Sequence, residues 1–130
     1  MHSFEMIHSA GAPAALGPYS QAVRAAGLLF VSGQLGLDPQ TGELVSDEIR
    51  QQTIRVMDNL KAVLAAANLD FSNVVRADIF ITSMKDFPLV NEIYASYFPG
   101  EYRCARQTVE VSALPRGAKV EISLIAAEKA

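Results

Sequence analysis

The sequence predicts an α+β fold in which two helices cover one face of a mixed β-sheet. Three observations carry that prediction. Across residues 46–68 the apolar positions Ile49, Val56, Met57, Leu60, Val63, Leu64 and Ala67 fall on one helical face. VVRADIFIT and KVEISLIAA alternate with the two-residue period of half-buried strands. Between them, DFP at 86–88 and Pro99-Gly100 read as the start and stop of a second helix.

In chain order, a short strand near Phe4 to His8 leads into the Gly/Pro/Ala loop AGAPAALGPYSQ. AVRAAGLLFVSGQ then reads as two strands around a turn at Gly27, with Leu28 to Val31 as the buried part. Ser46 or Asp47 is expected to cap the first helix, where Asp47 and Glu48 suit the positive end of its dipole. In VVRADIFIT, Val75, Ala77, Ile79 and Ile81 are expected on one face and Arg76 and Asp78 on the other. Asp86 is placed to cap the second helix, with Pro88 in its first turn, and two strands around ALPRGA finish the chain. The order is ββ(β)αβαββ. The sheet face away from the helices needs cover. Small and mixed residues assigned to it, Ala77, Thr108 and Ser123, predict that another subunit supplies that cover in a closed homo-oligomer.

Length and composition narrow the function classes. The 130 residues, half of them hydrophobic, suffice for one ordinary core, so residues 1–130 are read as a single domain. A net charge of -3 with scattered lysines and arginines gives no footprint for nucleic acid. The start, MHSFEMIHSAG, lacks the pattern of a secretory leader, and no apolar run approaches the ~20 residues that span a bilayer. A soluble cytoplasmic protein without membrane partners is expected. Cys104 is the only cysteine, and with His2 and His8 as the only histidines no zinc-type spacing exists, so no metal is expected.

Three polar residues stand out against their local patterns. Asn91 lies inside the apolar stripe of its own helix, between Phe87, Tyr94 and Phe98. It either ties a neighbouring loop, as buried amides usually do, or reaches a ligand. Arg106 heads the stretch RCARQTVEV, sharing one strand face with Thr108 and Glu110 while Gln107, Val109 and Val111 take the other. A salt bridge to Glu110 would have to span ~13 Å along the strand, whereas a planar fork with five donors suits a ligand carboxylate. Both roles stay open. Glu121 alternates with the apolar Val120, Ile122 and Leu124, which reads either as a solvated strand face or as a functional carboxylate. If residues 106–112 and 119–126 form a hairpin around LPRG, Val111 lies near Val120 and Arg106 is several residues from Glu121. The two could then share a small ligand only across a subunit boundary.

Five fragments in register, GPYSQA (17–22), FVSGQ (30–34), VNEIY with YF (90–98), AR followed by VEV (105–111) and LP with VEI (114–122), resemble the Rid family of reactive intermediate or imine deaminases, once called the YjgF family, and in particular its RidA branch. The resemblance implies a homotrimer of chorismate-mutase-like subunits with three clefts between neighbours. It also implies hydrolysis of 2-iminopropanoate and 2-iminobutanoate, products of pyridoxal-phosphate-dependent dehydratases, to 2-keto acids and ammonia without a cofactor. Arg106 matches the family's carboxylate-binding arginine, and Tyr19, Ser32, Gly33, Asn91 and Glu121 match the other cleft positions. In this reading Arg106, Glu121 and Tyr19 carry the catalysis. Ser32, Gly33, Asn91 and Arg106 bind the substrate. Tyr19 is otherwise a core aromatic with a satisfied hydroxyl.

Many relatives read Pro-Ala-Arg-Ser-Cys where this chain reads Cys104-Ala105-Arg106-Gln107-Thr108. A thiol nucleophile is therefore not expected, and Cys104 is read as a small buried residue. Two rival classes remain: a non-catalytic trimer that binds a carboxylate ligand and regulates a partner, and a ribonuclease or translation inhibitor. The second would want paired histidines or lysines in a basic cleft, which this acidic chain does not offer.

Overall fold

A computed structural model describes residues 3–129; His2 lies outside them. Six strands, β1 (Glu5–Ile7), β2 (Ala22–Ala25), β3 (Leu28–Leu35), β4 (Val74–Ile81), β5 (Ala105–Glu110) and β6 (Val120–Ala127), form one sheet in the order β1-β2-β3-β6-β4-β5. All neighbours are antiparallel except β4 and β5, which run parallel. Helices α1 (Ile49–Ala66) and α2 (Phe87–Ala95) complete the architecture, so the predicted α+β class and mixed sheet hold.

The core lies between the helices and one sheet face. Val56, Met57, Leu60, Val63 and Leu64 of α1 are fully buried, as the helical spacing predicts. They face a sheet layer made by cross-strand neighbours: Val31 and Ala77 both pair with Leu124, Ile79 with Ile122, and Ile81 with Val120. Edge-to-face packing of Phe71 with Phe98, at a centroid separation of 5.2 Å, closes one end of this layer beneath α2.

Helix boundaries differ from the sequence reading for local reasons. Glu48, not Ser46 or Asp47, is the N-cap of α1, and it makes no side-chain capping bond. The Ser46 hydroxyl instead accepts the Glu48 N–H at 3.0 Å, forming a turn that places both acidic residues before the first helical turn. The far end is firmly closed. Asn68 takes a left-handed φ of 61°, its N–H bonds the Ala65 carbonyl, and the Leu69 N–H reaches back to Leu64. That pair of bonds is a Schellman motif. Asp86 is the N-cap of α2, again without a side-chain bond, and Pro88 sits in the first turn as expected. The helix ends at Ala95, and turns through Tyr97 and Phe98 carry the chain to Pro99.

Strand order holds the larger correction. Residues 106–112 and 119–126 do not form a hairpin: β5 lies at the sheet edge beside β4, and β6 runs between β3 and β4. A crossover through α2 makes β5 parallel to β4, and the Val111 N–H accordingly bonds the Ile81 carbonyl rather than meeting Val120.

Face assignments shift as well. A bulge between Val74 and Arg76 buries Val74 and turns Val75 outward, so Val75 leaves the face it was assigned to. Ala77 is fully buried beneath the helices, and Thr108, paired with Ile79, is on that same side. Of the three residues expected on the uncovered face, only Ser123 lies there, opposite Asp78. Phe30 also belongs to that face, at 43% exposure, because strand alternation turns it away from its buried neighbours Leu29 and Val31. The β2–β3 turn has positive φ at both central residues, Ala26 (53°) and Gly27 (78°), the pattern of a type I′ turn. A left-handed conformation costs an L-residue about 1–2 kcal/mol. Ala26→Asn should therefore stabilise the protein by about 0.5–1 kcal/mol, seen as a higher urea midpoint with an unchanged slope.

Candidate active site

Arg106 stands on β5 opposite Ala77 of β4, on the helix side of the sheet. That position explains its surroundings. Its Nη1 donates to the Asn91 side-chain oxygen at 2.5 Å, and its guanidinium carbon lies 5.5 Å from the Phe87 ring centroid and 5.1 Å from that of Tyr94. Asn91, Phe87 and Tyr94 all come from α2, so the helix holds the guanidinium by one hydrogen bond and by contact with two aromatic faces. Glu110 does not serve as its counterion; that carboxylate accepts the Met84 N–H at 2.7 Å. Among the described residues no carboxylate oxygen comes within 4.0 Å of Arg106. The residue stays exposed at the edge, with its remaining donors available to a ligand. Asn91 therefore binds the arginine rather than a loop.

Cys104 and Thr108 flank Arg106 on the same strand face. The thiol is half-buried and lies 3.1 Å from the Tyr94 hydroxyl, consistent with a small packed residue. Burial and the neighbouring sulfur push the Tyr94 phenol well above its ordinary range, so it stays protonated. Thr108 Oγ1 is buried without a hydrogen-bond partner among the described residues.

Glu121 lies elsewhere. It pairs with Phe80 of β4 and Leu35 of β3, and it points from the sheet face opposite to the one that carries Arg106. Its expected alternation with buried Val120, Ile122 and Leu124 is present, but the residue is half-buried rather than solvated. Burial raises its carboxyl above the ordinary value. Beside it, the register of β3 slips between Val31 and Gln34, so that Ser32 and Gly33 form a bulge. A Cβ at Gly33 would come within 2.8 Å of Glu121 Oε2 and 2.9 Å of its Cδ. Glycine at 33 and the carboxylate at 121 thus fit as a pair.

Ser32 holds the loop that carries Tyr19. Its hydroxyl donates to the Ser20 carbonyl at 2.7 Å and its N–H to the Gln21 carbonyl at 3.0 Å. Tyr19 is 56% exposed, which removes the alternative of a core aromatic. Tyr19, Ser32, Gly33 and Glu121 line a cleft of about 630 Å³, whose further walls include Leu37 and Arg116. Asn91 and Arg106 line a separate cleft of about 460 Å³ with Tyr94 and Cys104. One chain therefore brings the six predicted residues together as two groups, not one.

Buried amides that sequence reasoning missed shape the larger cleft. Gln21 accepts the Ser9 N–H at 2.6 Å and donates to the Pro13 carbonyl at 2.8 Å, fixing the wall at Pro13. Asn59 donates to the Leu35 and Leu37 carbonyls at 3.1 and 3.0 Å, while Gln52 spans Ser46 and Lys119. The available signal was polarity at helix positions 52, 53 and 59, inside the apolar stripe of α1.

Residues 9–128 match the family model described as endoribonuclease L-PSP. The chain is 59% identical to protein DfrA of Myxococcus xanthus over 92% of each chain. It is 45% identical to the 2-iminobutanoate/2-iminopropanoate deaminase of mouse, covering 95% of this chain and 91% of that protein. The crystal structure of YyfA from Yersinia pestis, a protein of the Rid family, superposes with a TM-score of 0.94 at 47% identity, covering 96% of this chain and 99% of that one. On these matches, which span nearly all of the sequence and the fold, the chain belongs to the Rid family, the YjgF or endoribonuclease L-PSP family.

Proposed function

We propose that the protein hydrolyses small 2-imino acids, 2-iminopropanoate and 2-iminobutanoate, to 2-keto acids and ammonia in clefts between the subunits of a homotrimer. The separation of Arg106 and Glu121 onto opposite faces of one sheet supports this reading best. Each group lines its own open cleft, so an arginine from one copy and a glutamate from the next can meet where a single copy cannot join them. The sheet face opposite the helices also exposes Met6 (76%) and Phe30 (43%), apolar surface suited to burial by another copy.

The chemistry asks for orientation and one proton carrier. The fork of Arg106 pairs with the substrate carboxylate, and Asn91 keeps that fork in place. The substrate reacts as its iminium ion, protonated from solvent; Glu121 takes a proton from water as the water oxygen bonds to C2, giving the neutral carbinolamine. The same carboxyl returns that proton to nitrogen. The Glu121 carboxylate then accepts the hydroxyl proton as the C–N bond breaks, releasing ammonia and the keto acid, and gives that proton up to solvent. Tyr19 forms the outer wall and offers a hydroxyl donor. Ser32, with its own N–H and hydroxyl engaged, contributes by fixing the Tyr19 loop, and the backbone at Gly33 lies beside the reacting groups. Pyridoxal-phosphate dehydratases in the cytoplasm are the expected source of such imines.

A regulatory, non-catalytic role would use the same arginine cleft. The name of the Myxococcus relative, which states no reaction, keeps that alternative in view. Ammonia release from freshly generated iminopropanoate separates the two. Ribonuclease chemistry has less support, because the larger cleft contains neither histidine nor lysine.

Arg106→Ala should keep a folded oligomer and lose about 2.7–4 kcal/mol of transition-state stabilisation, read as kcat/KM for imine hydrolysis. Retained activity would reject the assignment. Glu121 acts as a base in its ionised form, and burial raises its pKa. Activity should therefore fall as pH drops through a value above the ordinary carboxylate range, and Glu121→Gln should remove that limb along with most of kcat. Gly33→Ala should fold, since the Glu121 side chain can swing aside, yet lower kcat by about 10²-fold through misplacing the carboxylate. An unaltered rate in that variant would show that Glu121 is not held in its working position.

A further inference from the structure

In a single chain the cleft around Glu121 is open and long: it runs from Tyr19 and Gly33 past Leu35 and Leu37 to two loop tips at Thr41-Gly42 and Pro115-Arg116, with a volume of about 630 Å³ before a neighbouring copy adds its wall. A three- or four-carbon imino acid held beside Glu121 does not extend along all of these walls. The far end is not uniformly apolar, because Gln40, Thr41 and Arg116 belong to its lining.

Several features fix this arginine at the cleft mouth. Its backbone has a left-handed φ of 63°, between Pro115 and a Gly117 that is also left-handed at 68°. Such a pair bends the chain sharply, which aims residue 116 towards the facing loop. Its Nη1 donates to the Gly42 carbonyl at 2.9 Å, joining the two loop tips. Among the described residues no carboxylate oxygen lies within 4.0 Å of Arg116. One arm of the fork is thus held while the charge has no internal counterion, leaving Nε and Nη2 as donors beside the cleft. Glu121 supplies the only carboxylate in the lining, on the β-strand floor, whereas Arg116 sits on the rim.

We propose that Arg116 is a specificity-determining residue: its guanidinium binds a distal carboxylate, so the cleft takes 2-imino acids whose side chain ends in an acid group. This inference rests on the imine-hydrolysis reading above and names the substrate class within it. In the bound substrate the 1-carboxylate pairs with Arg106 of a neighbouring copy, C2 lies beside Glu121, and the chain extends along Leu35 and Leu37 towards Arg116.

Equilibrium binding of the product keto acids tests the inference apart from turnover. Titration calorimetry with 2-oxoglutarate and with 2-oxobutanoate should show tighter binding of the diacid to the unaltered protein. Arg116→Gly removes the guanidinium and suits the left-handed backbone, so it should remain folded. It should weaken 2-oxoglutarate at least about tenfold, the scale of one charge-assisted hydrogen bond, and leave 2-oxobutanoate unchanged. Arg116→Lys, which keeps the charge but not the fork, should recover part of the loss. Equal affinity for the two acids in the unaltered protein, or equal weakening of both in Arg116→Gly, would overturn the proposal. Ammonia release from imines freshly made from alanine and from glutamate gives the parallel kinetic readout. Failure on both imines would sink imine hydrolysis itself, whereas turnover of the alanine-derived imine with no Arg116-dependent preference would sink only the role of Arg116.

Discussion

Side chains alternate across a β-sheet, and here that rule places Arg106 and Glu121 on opposite sides of one layer. Arg106 follows Ala77 to the helix side, while Glu121 follows Phe80 to the other. No rotamer change can join groups separated by a packed sheet. A reaction that needs both must therefore use two copies, so assembly and chemistry become a single question. The parallel β4–β5 pair contributes to this, because the α2 crossover that makes β5 parallel also brings Asn91, Phe87 and Tyr94 alongside Arg106.

The carboxylate side depends on a local irregularity. On the bulged backbone of β3 a Cβ at position 33 would meet the Glu121 carboxyl, and its absence leaves that space. The same segment ties down the Tyr19 loop through Ser32, so one departure from strand geometry shapes both floor and wall. The stability consequence has a definite sign. The folded protein binds the Glu121 proton more tightly than the unfolded chain, so this residue weakens folding as pH rises from the ordinary carboxylate range through its raised value. Holding the group half-buried therefore has a thermodynamic cost once it is ionised.

Local periodicity made much of this fold legible. The stripe of α1, the alternation of β6 and the Pro-marked start of α2 involve neighbours within a few residues, and all are present. What the sequence did not reveal was set by distant partners. Insertion of β6 between β3 and β4 depends on which strands bury each other, and nothing within residues 106–126 distinguishes that arrangement from a hairpin. Val75 changed face through a bulge, which shifts the register by one position without changing composition. The candidate site shows the same division. Arg106, Asn91 and Glu121 stood out from their local patterns, whereas the Arg106–Asn91 bond, the fit of Gly33 to Glu121 and the loop anchors Gln21 and Asn59 involve contacts across the fold.

The unequal burial of the two charged groups follows from their chemistry. A guanidinium keeps its charge at any pH relevant to the protein, so burial would add desolvation cost without changing its protonation. Arg106 lies at an exposed edge, held by an amide and two rings that leave its donors available. A carboxyl becomes a useful proton carrier near neutrality only if its surroundings raise its pKa, and partial burial is the means available within one chain. Glu121 has that burial and Arg106 lacks it. Desolvation thus falls on the group whose protonation it changes, while the permanently charged group stays at the edge, where water can solvate it.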